Sequence, residues 1–233
     1  MKRLCSICAR GGSQGVQGKN LRPLLGKPLL LHSLEQAHKS GLFSAIAVSS
    51  DDEGILEEAR KFGVDVIVSR PESMATSTAA KVPAIQHCAK TSELILGVEF
   101  DTFVDLDATS PLRQVEDIQG AVHLLEEQGA DNVLTGSPAR RSPYFNLVER
   151  QKNGLTQLVK PGHQVVRRQD APDCFDLNAS IYVWKRSALL SSDISIFHDK
   201  TLLYEMPEER SWDIDSEFDW RIVSMLAAER GRL

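Results

Sequence analysis

Long apolar runs are missing from this chain. No stretch approaches the ~20 residues that span a bilayer, so no transmembrane segment is expected. Residues 1–9 imitate a secretory leader only faintly: the apolar part is short and Arg10 ends it, so a cytoplasmic protein with no membrane partner is expected. Cysteine is scarce, with four in 233 residues, too few and too scattered for a disulfide framework. Cys5-Ser6-Ile7-Cys8 has C-x-x-C spacing, but it sits inside an apolar run where positions 5 and 8 face opposite sides of a strand. No second pair exists to complete a zinc site, so these thiols read as packing residues. Positive charge is not in excess. Lys and Arg number 27 against 32 Asp and Glu, which argues against a nucleic-acid-binding surface. The six histidines lack metal-ligand or triad spacing. Repeats, low-complexity tracts and dividing linkers are also absent. With 42% hydrophobic and 25% charged residues, a single globular domain over residues 1–233 is expected.

What is present begins with Ala9-Arg10-Gly11-Gly12-Ser13-Gln14-Gly15-Val16-Gln17-Gly18-Lys19-Asn20. This segment follows a short buried strand at 4–8. Glycines let backbone N–H groups approach phosphate oxygens, and Arg10 and Lys19 supply countercharge. The spacing is not that of a Walker A loop, and Gly-x-Gly-x-x-Gly is absent. The loop therefore reads as a phosphate cradle of another kind, against the alternative of a flexible connector with incidental charges.

The chain then alternates. A helix is expected at 28–39, a strand at 45–49, a helix capped from 50–52 and running to Phe62, and a strand at 64–68. A polar loop at 70–78 precedes a helix at 79–90, a strand at 102–106, a helix at 115–128 and a strand at 132–135. Such alternation predicts an α/β fold, Rossmann-like, with a mostly parallel sheet whose ligands bind at the carboxyl ends of the strands. The rhythm breaks at 137–176, rich in Pro, Arg, Gln and Asn, where Asn153-Gly154 between short apolar runs at 145–149 and 155–159 signals a hairpin. That region reads as an arm leaving the main body. Strands are expected again at 179–184 and 202–206, then a loop at 211–215 and a final helix N-capped by Ser216.

Three further groups carry possible chemistry. Asp213-Ile214-Asp215 places two carboxylates on one side of an extended stretch, suited to a hard cation or to capping the helix that follows. Asp107, in Asp105-Leu106-Asp107-Ala108-Thr109-Ser110-Pro111-Leu112-Arg113, ends a strand and suits a polar substrate, a second metal, or a helix cap. Arg167-Arg168-Gln169 and Asn178-Ala179-Ser180 offer a guanidinium fork and amides, as a site or as a solvated face.

Together these motifs resemble the acylneuraminate cytidylyltransferases (CMP-sialic acid synthetases). The resemblance is carried by Ala9-Arg10-Gly11-Gly12-Ser13 with Lys19-Asn20, Thr109-Ser110-Pro111-Leu112-Arg113, Asn178-Ala179-Ser180-Ile181-Tyr182 and Asp213-Ile214-Asp215-Ser216-Glu217. It runs from residue 3 nearly to the C-terminus. Ser142-Pro143-Tyr144-Phe145-Asn146 and the stretch from Phe175 to Trp184 look most like the bacterial legionaminic branch.

The resemblance implies a nucleotide-diphospho-sugar transferase type of fold and a homodimer in which the arm crosses to the partner. It also implies a Mg²⁺-dependent reaction of CTP with a nine-carbon 2-keto sugar acid. On matching positions, Ala9, Arg10, Gly11, Gly12, Ser13, Lys19 and Asn20 would hold the nucleotide, with Arg10, Lys19 and Asp215 in catalytic roles. Asp213 and Asp215 would hold the metal, and Asp107, Arg168, Gln169 and Asn178 would face the sugar. Three positions depart from the sialic acid pattern. Asp107-Ala108 stands where Gln-Pro is frequent, Asp176 where Arg is frequent, and Ser77 where the loop usually has Asp. The first two count against N-acetylneuraminate itself. Two alternatives stay open: transfer to another sugar or from another nucleotide, and a non-catalytic nucleotide-sugar binding protein.

Overall fold

The computed structural model describes residues 1–12, 15–76, 78–161, 165 and 167–230, and leaves the side chains of Arg168 and Arg230 undescribed. Ser13 and Ser77, both singled out above, lie outside the described residues.

The first half is built as its periodicity predicts. Strand β1 (Arg3–Cys8) leads through the glycine-rich loop and a small ribbon, β2 (Pro23–Leu24) with β3 (Lys27–Pro28), into helix α1 (Leu29–Ser40). Strand β4 (Ala45–Ser50), helix α2 (Glu53–Phe62) and strand β5 (Val66–Ser69) follow. Asp52 starts α2 by accepting from the Ile55 N–H at 3.2 Å, satisfying one of the orphan donors of the first turn. Helix α3 (Lys81–Leu96) runs a turn and a half past its expected end. Its polar stretch Lys90-Thr91-Ser92-Glu93 breaks the apolar pattern, but Ser92 is buried and bonds back to the Cys88 carbonyl at 2.8 Å. The helix stops only at Gly97, which takes the left-handed conformation.

Strand β6 (Thr102–Leu106), helix α4 (Val115–Gln128) and strand β7 (Asn132–Pro138) continue the series. Between Pro138 and Phe175 the chain leaves the sheet and carries the predicted hairpin, β8 (Val148–Arg150) against β9 (Thr156–Leu158). Asn153 Oδ1 accepts from Leu155 N at 3.0 Å, and Gly154 has φ +85°, so the Asn-Gly signal forms a turn. Strand β10 (Phe175–Lys185) returns, followed by α5 (Arg186–Leu189), β11 (Thr201–Glu205) and α6 (Glu217–Arg230). β7 and β10 are longer than their apolar cores suggest because they pair with each other out to Pro138 and Phe175.

The sheet has seven strands in the order β11-β7-β10-β6-β1-β4-β5. β10 runs antiparallel to both neighbours, and all other pairings are parallel. Helices α1, α2 and α4 cover one face, and α3 and α5 the other. Cys5 belongs to the first core, while Cys8 packs against the second, as their spacing requires.

A third, smaller core matters most for function. Val16 from the glycine-rich loop, Leu112, Ile214, and Trp220 and Val223 of α6 are buried together. The apolar residues inside two polar motifs thereby pin both motifs to one place.

Candidate active site

The carboxyl ends of β1, β5 and β6 open into one cleft with a volume of about 460 Å³. This is the position at which open α/β sheets bind ligands. Ala9, Arg10, Gly15, Lys19 and Asn20 line it from the first loop, and Asp107 and Thr109 from the end of β6. Asp213 and Asp215 come from the loop before α6, and Arg70 and Lys81 close the remaining side. Residues about 200 positions apart in sequence thus face each other.

The first loop is held in shape by its own polar groups. Asn20 Nδ2 donates to the Arg10 carbonyl at 2.9 Å, which ties the loop's two ends together. Arg10 Nη1 donates to the Thr76 carbonyl at 2.9 Å, and the Gly11 N–H to Asp51 at 3.0 Å. Gly11 is half-buried and Gly12 exposed. Lys19 Nζ donates to the Ile214 carbonyl at 2.5 Å and to Asp215 at 3.2 Å. Gly15 has no room for a side chain, because a Cβ there would lie 1.8 Å from the Asp215 carbonyl oxygen. Glycine is thus required for close backbone approach, and it brings the loop directly against the Asp213–Asp215 segment.

Asp213 is half-buried and Asp215 exposed. Burial, reinforced by the Asp215 charge, pushes the Asp213 carboxyl up to about 6. Asp213 has no ion-pair partner among the described residues. No group of three or more His, Cys, Asp or Glu side chains is arranged to hold a metal among the described residues. Two carboxylates with open valence beside a roomy cleft form a donor set that fits a hard divalent ion completed by water and phosphate oxygens.

Asp107 is in the opposite state. Lys81 Nζ lies 2.9 Å from its Oδ2, and the Thr109 N–H and hydroxyl donate to its Oδ1 at 3.0 and 2.9 Å. Burial alone would raise this carboxyl, but the Lys81 charge and these donors more than reverse it, and it sits below the usual carboxylate range. Beneath it Asp105 is 1% exposed, accepts from Ser6 Oγ at 2.8 Å and lies 3.4 Å from Lys81.

Arg113 does not reach the cleft. It is 2% exposed and donates to Gln36, to the Ser180 carbonyl at 2.6 Å, to the Asp107 carbonyl at 2.5 Å and to Ser33. Burial pulls it down to about 10. Its work is to lock α1, the Asp107 turn and β10 together.

Asn178, expected to face the sugar, is likewise turned inward. Its Oδ1 accepts from Thr135 Oγ1 at 2.7 Å and Ser180 N at 3.1 Å, and its Nδ2 donates to Ser211 Oγ at 3.1 Å. These bonds hold a bulge in β10 where Ala179 adopts φ +51°, and Ala179 is what reaches the cleft. Gln169 is exposed on a 3-10 turn (Arg168–Asp170) in the excursion and is not among the cleft-lining residues, and the Arg168 side chain is not described.

Sequence reasoning missed Arg70 and Lys81. Arg70 is 7% exposed and donates through Nε and Nη2 to Ser49 at 3.2 and 2.8 Å, beneath the cleft wall. Lys81 had one available signal: a cation at the first position of a helix opposes the helix dipole, so it needs another reason to be there.

Comparison with known proteins agrees with this arrangement. Residues 4–217 match the model of the cytidylyltransferase family. The chain is 43% identical over 227 residues to post-translational flagellin modification protein B of Campylobacter coli, covering 97% of this chain and 95% of that protein. It is also 43% identical over 223 residues to CMP-N,N'-diacetyllegionaminic acid synthase of Campylobacter jejuni, covering 96% and 94%. Among solved structures, CMP:2-keto-3-deoxy-manno-octonic acid synthetase complexed with CTP superposes with a TM-score of 0.69 at 17% identity, over 99% of this chain and 100% of that one, which establishes a shared fold. With the match spanning both the opening loop and the distant aspartates that meet it across the cleft, the chain belongs to the cytidylyltransferase family.

Proposed function

We propose that this enzyme activates a nonulosonic acid of the sialic or legionaminic type with CTP, releasing pyrophosphate and forming the CMP-sugar. One observation carries the reading: the glycine-rich loop with Arg10 and Lys19 faces Asp213 and Asp215 in a single cleft. The 43% identity with a CMP-N,N'-diacetyllegionaminic acid synthase over 96% of this chain supports the sugar class, and Asp107, where sialic acid enzymes often carry Gln, favours the legionaminic type within it.

The sugar's anomeric hydroxyl attacks the α-phosphate in line as pyrophosphate leaves. Such transfer asks little covalent work of a protein, so positioning and charge neutralisation carry the rate. Ala9, Gly11, Gly12, Ser13 and Asn20 frame the nucleotide. Arg10 and Lys19 bind its phosphates, and Lys19 exchanges its present bonds to Ile214 and Asp215 for phosphate oxygens. Asp213 and Asp215 are the residues that would hold Mg²⁺, which when bound offsets charge on the phosphates and the leaving group. Asp107, with Arg168 and Gln169 of the excursion, orients the sugar, and Asn178 supports that face from beneath. The working form is a single-domain cytoplasmic protein, where CTP is supplied, paired as a homodimer through the arm at 137–176. Exposed apolar residues on that arm, including Val148 and Leu155, favour such a contact.

The test is pyrophosphate release. Each of the four NTPs is incubated with Mg²⁺ and a panel of nonulosonic acids. Release with CTP and a legionaminic-type acid, dependent on both, is expected. No release with any acid, or a preference for UTP or GTP, overturns the assignment.

A further inference from the structure

Among the described residues, two that are not glycine take a positive φ: Leu25 at +50° and Ala179 at +51°. Leu25 is exposed in the two-residue turn between β2 and β3, where Gly26 beside it also has positive φ. Ala179 is in no hairpin turn. It lies within β10, where the pairing with β7 shifts register, and it lines the cleft. In the left-handed region a Cβ crowds the following carbonyl oxygen, and glycine escapes this crowding. Asn or Asp would offset it with a local hydrogen bond, which an alanine methyl cannot make.

The bulge does not need that methyl for its shape. Asn178 Oδ1 accepts from Ser180 N at 3.1 Å, and Thr135 Oγ1 accepts from Ile181 N at 3.0 Å. The Ser180 carbonyl accepts from Asp107 N at 3.1 Å and from Arg113 Nη1 at 2.6 Å. The Asp107 bond also locates the bulge: it lies against the turn that carries Asp107, at the end of the cleft assigned above to the sugar. There the Asp107 oxygens are engaged by Lys81 and Thr109. Ala108, next in the chain, adds a second methyl to the cleft lining, and Ala179 itself packs against the core beneath. The bulge therefore presents a methyl group among polar groups that already have partners. A substrate hydroxyl placed against it would lose water and gain no hydrogen bond, whereas a methyl or methylene would gain contact.

We propose that Ala179 is a specificity-determining residue for the sugar acid. Its methyl favours a substrate that carries an apolar substituent, a methyl or methylene, where the sugar abuts β10, over one that carries a hydroxyl there. This rests on the cytidylyltransferase reading above and deepens it. The positive φ is then local strain kept at a functional site, for the sake of a side chain that glycine would lack.

Pyrophosphate release tests this, with CTP, Mg²⁺ and matched pairs of nonulosonic acids that differ at one carbon, deoxy against hydroxyl. No release from any acid overturns the cytidylyltransferase reading and this inference with it. In the wild type the deoxy member of at least one pair is expected to have the higher kcat/KM. Ala179→Gly should lower that preference about tenfold, the scale of one methylene in an apolar pocket, with the KM for CTP near the wild-type value. Its melting temperature should be no lower, because glycine relieves the positive φ. Ala179→Ser keeps the Cβ and the backbone strain but turns a hydroxyl to the cleft, and it should lower the same preference. Release without a preference in any pair overturns the proposal alone. So does an equal fall in kcat/KM for both members of a pair, or a preference left intact in Ala179→Gly and Ala179→Ser, whatever their melting temperatures.

Discussion

The two carboxylate pairs differ in what compensates them. Asp105 and Asp107 end a central strand and share the Lys81 ammonium, with Ser6 donating to one oxygen of Asp105 and Thr109 to one of Asp107. Asp213 and Asp215 sit on a loop, with Asp213 in no ion pair among the described residues and its carboxyl raised to about 6. The first pair is built into the floor of the cleft around one lysine. Among the described residues the second meets Lys19 alone, through the exposed Asp215, as expected of groups whose partner arrives with the substrate. Acidic residues of similar spacing thus serve different ends, and the discriminating feature is how fully each pair is engaged by donors rather than the motif.

The sharpest way to break this comparison is to remove one member of each pair. Asp215→Ala is expected to lower turnover by ~10³-fold or more, the scale of losing preorganised charge stabilisation at a transferring group, with the fold intact. Asp107→Asn should instead raise the KM for the sugar acid by about tenfold and leave the KM for CTP near the wild-type value. Steady-state pyrophosphate assays with each substrate varied in turn check both, and equal losses in the two variants would erase the distinction.

A second effect is on stability. Lys81→Gln strands two carboxylates and should cost ~2–3 kcal/mol of unfolding free energy. That is less than the full cost of breaking a buried pair, because the Lys81 side chain is 29% exposed. Urea titration at constant pH measures it.

The smallest effect has the opposite sign. Asp213 keeps its proton up to about pH 6 in the folded chain but loses it near the ordinary 3.8 when unfolded. Between those values the folded state binds more protons, so stability falls as pH rises through the window, and the whole penalty stands above pH 6. Asp213→Asn removes that ionisation. In metal-free buffer it should therefore be more stable than the wild type by ~1–2 kcal/mol at pH 7.5 and no different below pH 4. Thermal melts at the two pH values check this, and added Mg²⁺ should stabilise the wild type alone.

Much of the fold was legible because the relevant signals are local. Apolar periodicity, Asp52 as a cap and Asn153-Gly154 as a turn located most elements. The ends of α3, β7 and β10 were not, since they depend on partners distant in sequence: Ser92 is polar but buried, and Pro138 is strand only because Phe175 lies beside it. The cleft was legible where function needs an unusual local composition, as in the glycine-rich loop and Asp213-Ile214-Asp215. Arg70 was invisible, and Lys81 nearly so, its place at a helix start being the one hint, because one cation among 27 acquires meaning only from what it faces. Asn178 and Arg113 stand out in sequence, yet their polar atoms are spent on bonds that hold the β10 bulge and the Asp107 turn.

The central claim is that this cleft joins the α-phosphorus of CTP to the anomeric oxygen of a sugar acid. It is tested most directly by labelling that hydroxyl with ¹⁸O and following the product by ³¹P NMR. The account predicts a CMP-sugar phosphodiester signal carrying the isotope shift, with one unlabelled pyrophosphate per product. A product without the ¹⁸O shift, or the label in pyrophosphate, would contradict it.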